Sequence, residues 1–143
     1  MEVFLLNKME VVSREVAEKE VNAWLEYKKV PDAYIKGSQM YINGMIIAVQ
    51  EGSFTIDPDT KEITHKLKWP IGTGDFTITS LTYKPRLGVS VIQQNIAGIP
   101  MTDLTGRTLG IIAALCGKPR TEIAPMDSED YRAASDVAAF FSP

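Results

Sequence analysis

The pattern of apolar and polar positions changes along the chain, and its first part predicts one amphipathic helix. In residues 13–29 apolar side chains, among them Val21 and Trp24, recur at helical spacing. Ser13 is a suitable N-cap, because its hydroxyl can accept a hydrogen bond from a backbone N–H of the first turn. Because Trp24 lies on the apolar stripe, we expect it in the core, with a contact to a partner protein as the alternative.

Residues 33–83 have shorter apolar runs broken by turn residues, which is typical of antiparallel strands. The dipeptide Asn43–Gly44 lies between two apolar triplets and tolerates the positive φ of a tight turn. We therefore expect a hairpin centred on this dipeptide, with a helix over residues 45–50 as the alternative.

A second hairpin is predicted around the polar segment 57–62, which contains a proline where a turn accepts one. This segment joins a strand over 53–56 to a strand over 63–67. Side chains alternate between the two faces of a strand, so His65 is expected on the apolar face of the second one.

A further strand is predicted over 76–83, after a loop rich in glycine. Its alternation is expected to place Phe76, Ile78 and Ser80 on one face.

From residue 87 onward the apolar spacing becomes helical, and Gly and Pro mark the ends of the predicted segments. The segments predicted as helices are 89–97, 103–116 and 128–141. Gly117 is expected to end the second helix, and Asp127 to cap the third, with Asp130 completing an acidic box at the positive helix end.

These elements predict one domain, residues 1–143, of the α+β class. It consists of an N-terminal helix, a small antiparallel β-sheet of hairpins and a C-terminal helical part. A weak boundary near residue 86 separates an α+β front half, 1–86, from a helical back half, 87–143.

Charge and composition exclude some classes of function. A net charge of −3 over 143 residues argues against a general nucleic-acid binder, which is usually basic. The sequence has no apolar stretch near the length that spans a bilayer, so we expect no membrane partner. With one cysteine and no export signal at the start of the chain, we expect a cytoplasmic protein.

Residues with catalytic chemistry do not form a recognisable set. His65 is the single histidine, and a packed or surface position in its strand is expected rather than a role as a base. Cys116 ends an apolar helix, where a small buried thiol is expected. The segment that contains Asp57, Asp59 and Glu62 lacks the glycine of a calcium-binding loop, so it predicts a solvated turn. We expect no enzyme, no metal and no cofactor, and an enzyme with a scattered site is the last alternative.

The back half carries a family resemblance. Residues 109–119, Leu-Gly-Ile-Ile-Ala-Ala-Leu-Cys-Gly-Lys-Pro, are followed by Met126–Asp127, Asp130–Tyr131 and a Val-Ala-Ala-Phe-Phe segment. This pattern resembles the C-terminal part of the tail assembly chaperones of Mu-like and P2-like phages and prophages. Together with the strand from His65 to Ile71, the resemblance covers roughly residues 63–141.

The resemblance implies a non-enzymatic role in the host cytoplasm. Such a chaperone coats the tape measure protein and keeps it soluble before the tail tube assembles, and it is absent from the finished virion. The tail tube protein and a second copy of the chain are further partners that it leaves open. The alternative is a structural tail component, such as a tail completion or tube-associated protein, with residues 33–83 as its assembly surface.

The candidate partner-binding residues lie on the predicted helices 103–116 and 128–141. They form either a helical surface or the core behind that surface. They are Leu109, Ile112, Leu115, Tyr131, Val137, Phe140 and Phe141. Because Phe140 and Phe141 are consecutive, they are not expected to face one core from the same helix, so one of them is a candidate for docking or self-association.

Overall fold

The computed structural model describes residues 11–141 and has the predicted α+β fold, with helices on either side of a small antiparallel sheet in the chain order. The helices are α1 (Arg14–Lys28), α2 (Asp32–Gly37), α3 (Gln39–Gln50), α4 (Val89–Ile96), α5 (Leu104–Cys116), α6 (Arg120–Ile123) and α7 (Ser128–Ala138). The strands are β1 (Phe54–Ile56), β2 (Ile63–Ile71) and β3 (Ile78–Tyr83). Short 3₁₀ turns lie at Gly74–Phe76 and Ala139–Phe141.

Helix α1 confirms the first predicted helix. The Ser13 hydroxyl accepts a hydrogen bond from the backbone N–H of Val16 at 3.2 Å, as expected of an N-cap. Trp24 is fully buried, which confirms the expected core position.

The hairpin predicted around Asn43–Gly44 is wrong, because both residues lie inside the continuous helix α3. Buried Ile42, Met45 and Val49 follow helical spacing, and this face packs against α1 and α7. Gly44 lies where α7 approaches most closely, since a Cβ at this position would overlap the carboxylate of Asp136. The glycine therefore serves a close helix contact instead of a turn.

The sheet has the order β1-β2-β3, and both strand pairs are antiparallel. The predicted hairpin at residues 57–62 is confirmed, because β1 and β2 pair across it with Thr55 opposite Thr64. The Asp57 carboxylate accepts the N–H groups of Asp59 and Thr60 at 2.8 and 2.9 Å, so it closes an exposed turn as expected.

Strand β3 starts two residues later than predicted, so Phe76 lies in the 3₁₀ turn before the strand and does not share a strand face with Ile78 and Ser80. Leu81 and Tyr83 are buried, whereas Ser80 is exposed and Phe76 is 91% exposed. The pairing of β2 with β3 shifts register between Lys66 and Ile71. An alternation count along one strand cannot detect such an irregularity in the pairing.

The back half contains the expected helices, with three corrections at α7. Gly117 ends α5 in the left-handed conformation, with φ of 65°. Asp127 occupies the N-cap position of α7, but its side chain makes no capping hydrogen bond. The acidic box is wrong because Asp130 is buried and bonds to β2 instead of the helix end. The helix also ends at Ala138 rather than continuing to residue 141.

One buried apolar cluster draws residues from both sides of residue 86. Helix α7 packs between α3, α5 and β2, so the last helix contacts elements from the front of the chain. Helix α4 lies close against α5, because Gly110 leaves room for the backbone of Asn95, whose carbonyl oxygen would lie 2.7 Å from an added Cβ.

Candidate partner-binding site

The structure separates the candidate partner-binding residues into a core group and a surface group. Ile112, Leu115 and Val137 are fully buried, so they form the core behind the surface. Leu109 and Tyr131 are half-buried at different places. Leu109 lines a shallow cleft between the loop before α5 and helix α6, and the Tyr131 hydroxyl faces the carbonyl of Thr105.

Phe140 and Phe141 lie together at the end of the described chain. Both rings pack edge-on against Trp24, with centroid distances of 5.6 and 6.3 Å. The expectation that they face different ways is therefore wrong, because the α-helix has ended and a 3₁₀ turn carries both rings. Phe141 is buried, whereas Phe140 keeps part of its ring open to solvent.

These two rings border a cleft of about 430 Å³, which we name the α4 cleft. Its walls come from the end of α1, the segment before α4, α4 itself, α5 and the C-terminal turn. The residues that line the α4 cleft are Lys28, Arg86, Leu87, Val89, Ile92, Gln93, Ile96, Arg107, Phe140 and Phe141.

The floor of the α4 cleft is apolar. Ile92 and Ile96 lie one helical turn apart on α4, and each is less than 10% exposed. Val89, one turn earlier still, is 65% exposed at the rim. The sequence produces this arrangement because α4 has apolar residues at i, i+3 and i+7, and only part of that stripe is covered by α5.

The charged residues that line the α4 cleft are all cations. Lys28 donates a hydrogen bond to the carbonyl of Pro85 at 2.9 Å, and its ammonium lies 3.6 Å from the centre of the Phe141 ring. Arg107 donates to the carbonyl of Ile99 at 3.2 Å. Within residues 11–141, neither these two cations nor Arg86 form an ion pair with a carboxylate.

Burial, and to a smaller extent the nearby charge of Arg86, lower the pKa of Lys28 from 10.5 to about 8. The ammonium is therefore held where water solvates it poorly and where another cation repels it. A carboxylate placed in the α4 cleft would relieve both effects.

Sequence reasoning missed these cations as parts of one site. Arg86 was visible only as part of a short basic segment, and Lys28 only as the basic end of a helix. No spacing pattern connects them to Arg107, since three separate elements bring them to the same cleft.

A second polar cluster lies inside the protein and has no opening to solvent. The Nδ1 atom of His65 lies 2.7 Å from the Tyr83 hydroxyl, and Nε2 lies 3.6 Å from Asp130. Phe54 packs edge-on against the imidazole at 4.9 Å. Burial lowers the pKa of His65 to about 4, although the carboxylate of Asp130 raises it. Of the two positions expected for His65, packed or at the surface of its strand, the structure shows the packed one.

Two further features complete the description of the polar and exposed residues. Cys116 is half-buried, and burial raises the pKa of its thiol, which keeps it protonated at neutral pH. Trp69, near the end of β2, is 64% exposed, and Phe76, in the 3₁₀ turn between β2 and β3, is 91% exposed.

Comparison with known proteins gave no match to a family model, to a curated protein or to a solved structure. Among residues 11–141, no helix has the length and apolar character needed to cross a membrane. The same part of the chain has no group of three or more His, Cys, Asp or Glu residues arranged to hold a metal ion.

Proposed function

We propose that this chain is a tail assembly chaperone of a phage or prophage. It binds the tape measure protein in the host cytoplasm and keeps it soluble until the tail tube assembles, without catalysing a reaction. The observation that carries the proposal is the α4 cleft, whose edge is formed by Phe140 and Phe141. These residues belong to the segment on which the resemblance to this family rests.

The proposed mechanism is the docking of an amphipathic helix into an apolar groove. One turn of the partner helix would lie on Leu87 and Val89, above the buried Ile92 and Ile96, and the next would contact the open part of the Phe140 ring. Burial of this apolar surface supplies the attraction, at roughly 25 cal/mol for each Å² removed from water. The partner's apolar stripe would then be shielded from other chains.

Co-expression with the tape measure protein of the same genome tests this proposal. We expect the two proteins to co-purify, with the tape measure protein in the soluble fraction. Phe140→Ala should weaken the complex because it removes a wall of the α4 cleft. Phe76→Ala is the matched control, since it removes a more exposed ring that lies outside the cleft.

The proposal fails if wild-type protein leaves the tape measure protein insoluble and unbound. It also fails if Phe76→Ala weakens the complex as much as Phe140→Ala does.

A structural tail component is a second candidate function, and the exposed Trp69 and Phe76 favour it. Two large aromatic rings at one end of a sheet offer an apolar surface on which another protein could assemble. This function predicts that the chain is present in purified phage particles, whereas a chaperone is absent from them.

A further inference from the structure

The sign of the charge in the α4 cleft is opposite to that of the whole chain. The chain carries a net charge of −3, yet every charged side chain lining the cleft is a lysine or an arginine. A charge pattern of this kind attracts ligands of the opposite sign and discriminates against those of the same sign.

Within residues 11–141 no carboxylate forms an ion pair with any of the three cations. Lys28 is held by the Pro85 carbonyl and the Phe141 ring, and Arg107 is held by one carbonyl, so both are oriented without an anionic partner. Each guanidinium has five N–H donors, and the bond to Ile99 uses one of those of Arg107. Donors therefore remain for a carboxylate from another molecule.

The cations also stand beside apolar surface rather than on an open polar face. Arg107 extends from α5 and Arg86 precedes α4, while Ile92 and Ile96 form the floor. A ligand that matches both features needs an apolar stripe with acidic side chains beside it. Asp or Glu flanking the stripe of an amphipathic helix provides this combination, because residues three and four positions apart lie on one face.

We infer that the α4 cleft selects an acidic amphipathic helix, in which Asp or Glu residues flank the apolar stripe. Lys28, Arg86 and Arg107 bind the carboxylates while Leu87, Val89 and Phe140 bind the stripe. The identity of the partner as the tape measure protein rests on the proposed function, whereas the chemistry of the bound segment rests on the α4 cleft alone.

Two labelled peptides of about 18 residues, with the same apolar stripe and helical content, test this inference. One carries Glu beside the stripe and the other carries Lys at the same positions. We expect fluorescence anisotropy to show about tenfold tighter binding of the Glu peptide at low salt, and a smaller difference at high salt.

Arg86→Gln and Arg107→Gln should each weaken binding of the Glu peptide severalfold and leave binding of the Lys peptide unchanged or improved. Arg120→Gln is the matched control, because Arg120 is exposed on α6 and does not line the α4 cleft. Thermal unfolding of each variant shows whether it retains the wild-type fold before binding is measured.

Equal affinity for the two peptides overturns charge selection, as does an equal effect of Arg120→Gln and Arg107→Gln. The inference is also overturned if the protein binds neither peptide but associates with itself, and if Phe140→Ala abolishes that self-association. A second copy of the chain would then occupy the cleft. If the tape measure protein co-purifies but the peptides are not discriminated, the proposed function stands and this inference fails. If the peptides are discriminated but the tape measure protein is not bound, the inference stands and the chaperone function fails.

Discussion

The carboxylate of Asp130 lies 3.6 Å from Nε2 of His65, and both side chains are sealed from solvent. Asp130 also accepts the backbone N–H groups of Lys68 and Trp69 at 2.9 and 3.0 Å. These bonds join the start of α7 to β2, although the bonded residues are more than 60 positions apart in the sequence. A buried carboxylate accepts strong hydrogen bonds. Removing the carboxylate of Asp130 would leave the two backbone N–H groups without an acceptor.

Asp130→Asn is expected to destabilise the protein by roughly 3 kcal/mol, because an amide can accept from one of the two N–H groups but directs its own donors at the other. Urea unfolding followed by circular dichroism measures the change. Asp127→Asn is the matched control, since the Asp127 side chain makes no capping bond and the two residue types are equally good N-caps. Its expected effect is below about 0.5 kcal/mol. A similar loss in both variants would contradict the role assigned to Asp130.

The buried imidazole of His65 makes a contribution to the free energy of unfolding that is lost in acid. The pKa of His65 is about 4 in the folded protein and 6.5 in an unfolded chain. Between these values the unfolded state binds a proton that the folded state does not, so the free energy of unfolding decreases as the pH falls from 6.5 towards 4. The contribution lost between pH 7 and pH 5 is roughly 1 to 2 kcal/mol.

Because His65 is the only histidine, its imidazole signals in an NMR titration report this pKa directly. A midpoint at or above pH 6.5 would contradict the prediction. Asp136 acts in the opposite sense: burial raises its pKa from 3.8 to about 6, so its protonation increases the free energy of unfolding as the pH falls from about 6 towards 3.8. His65→Gln, compared with wild type at pH 7 and pH 5, separates the two effects because Asp136 is common to both proteins.

Gly44→Ala is expected to destabilise the protein by about 1 to 3 kcal/mol, because the added methyl overlaps the Asp136 carboxylate and separates α3 from α7. Gly37→Ala is the control, as a methyl group added there would meet nothing within 4 Å and the φ of Gly37 is not positive. That variant should gain between zero and about 1 kcal/mol, since alanine restricts the unfolded chain. Thermal unfolding of both variants measures the contrast, and a Gly44→Ala protein as stable as wild type would disprove the close contact.

Phe141→Ala and Phe140→Ala should separate stability from binding. Phe141 is buried against Trp24 beneath Lys28, so its loss should cost about 3 kcal/mol of unfolding free energy. Phe140 is partly exposed, so its truncation should cost about 1 kcal/mol while weakening the complex with the tape measure protein. Chemical unfolding and the co-purification assay, run on the same two variants, give the comparison. Equal losses of stability with binding retained in both would contradict this division.

The elements whose evidence is local could be predicted from the sequence. Ser13 and the apolar spacing after it predict α1, and Gly117 predicts the end of α5, because capping and helical periodicity depend on neighbouring residues. The turn at Asp57 was predicted for the same reason, since its side chain bonds to the next residues in the chain.

The errors arose where distant residues determine the structure. Asn43–Gly44 permits a turn, but burial of Ile42 and Met45 and the approach of Asp136 favour a helix. Asp130 has the sequence position of a capping residue, yet its partners are more than 60 positions away. The α4 cleft was unpredictable for the same reason, because its cations acquire a common role only after the helices have packed.

Where β2 extends past β1, the N–H groups of Lys68 and Trp69 are paired by neither neighbouring strand. Donors left open along a sheet edge are a template on which a strand of another molecule can add, and repeated addition leads to fibrous aggregates. The Asp130 carboxylate occupies both donors, and its charge opposes the approach of another carbonyl. One side chain from the last helix thus protects this part of the sheet from pairing with foreign strands.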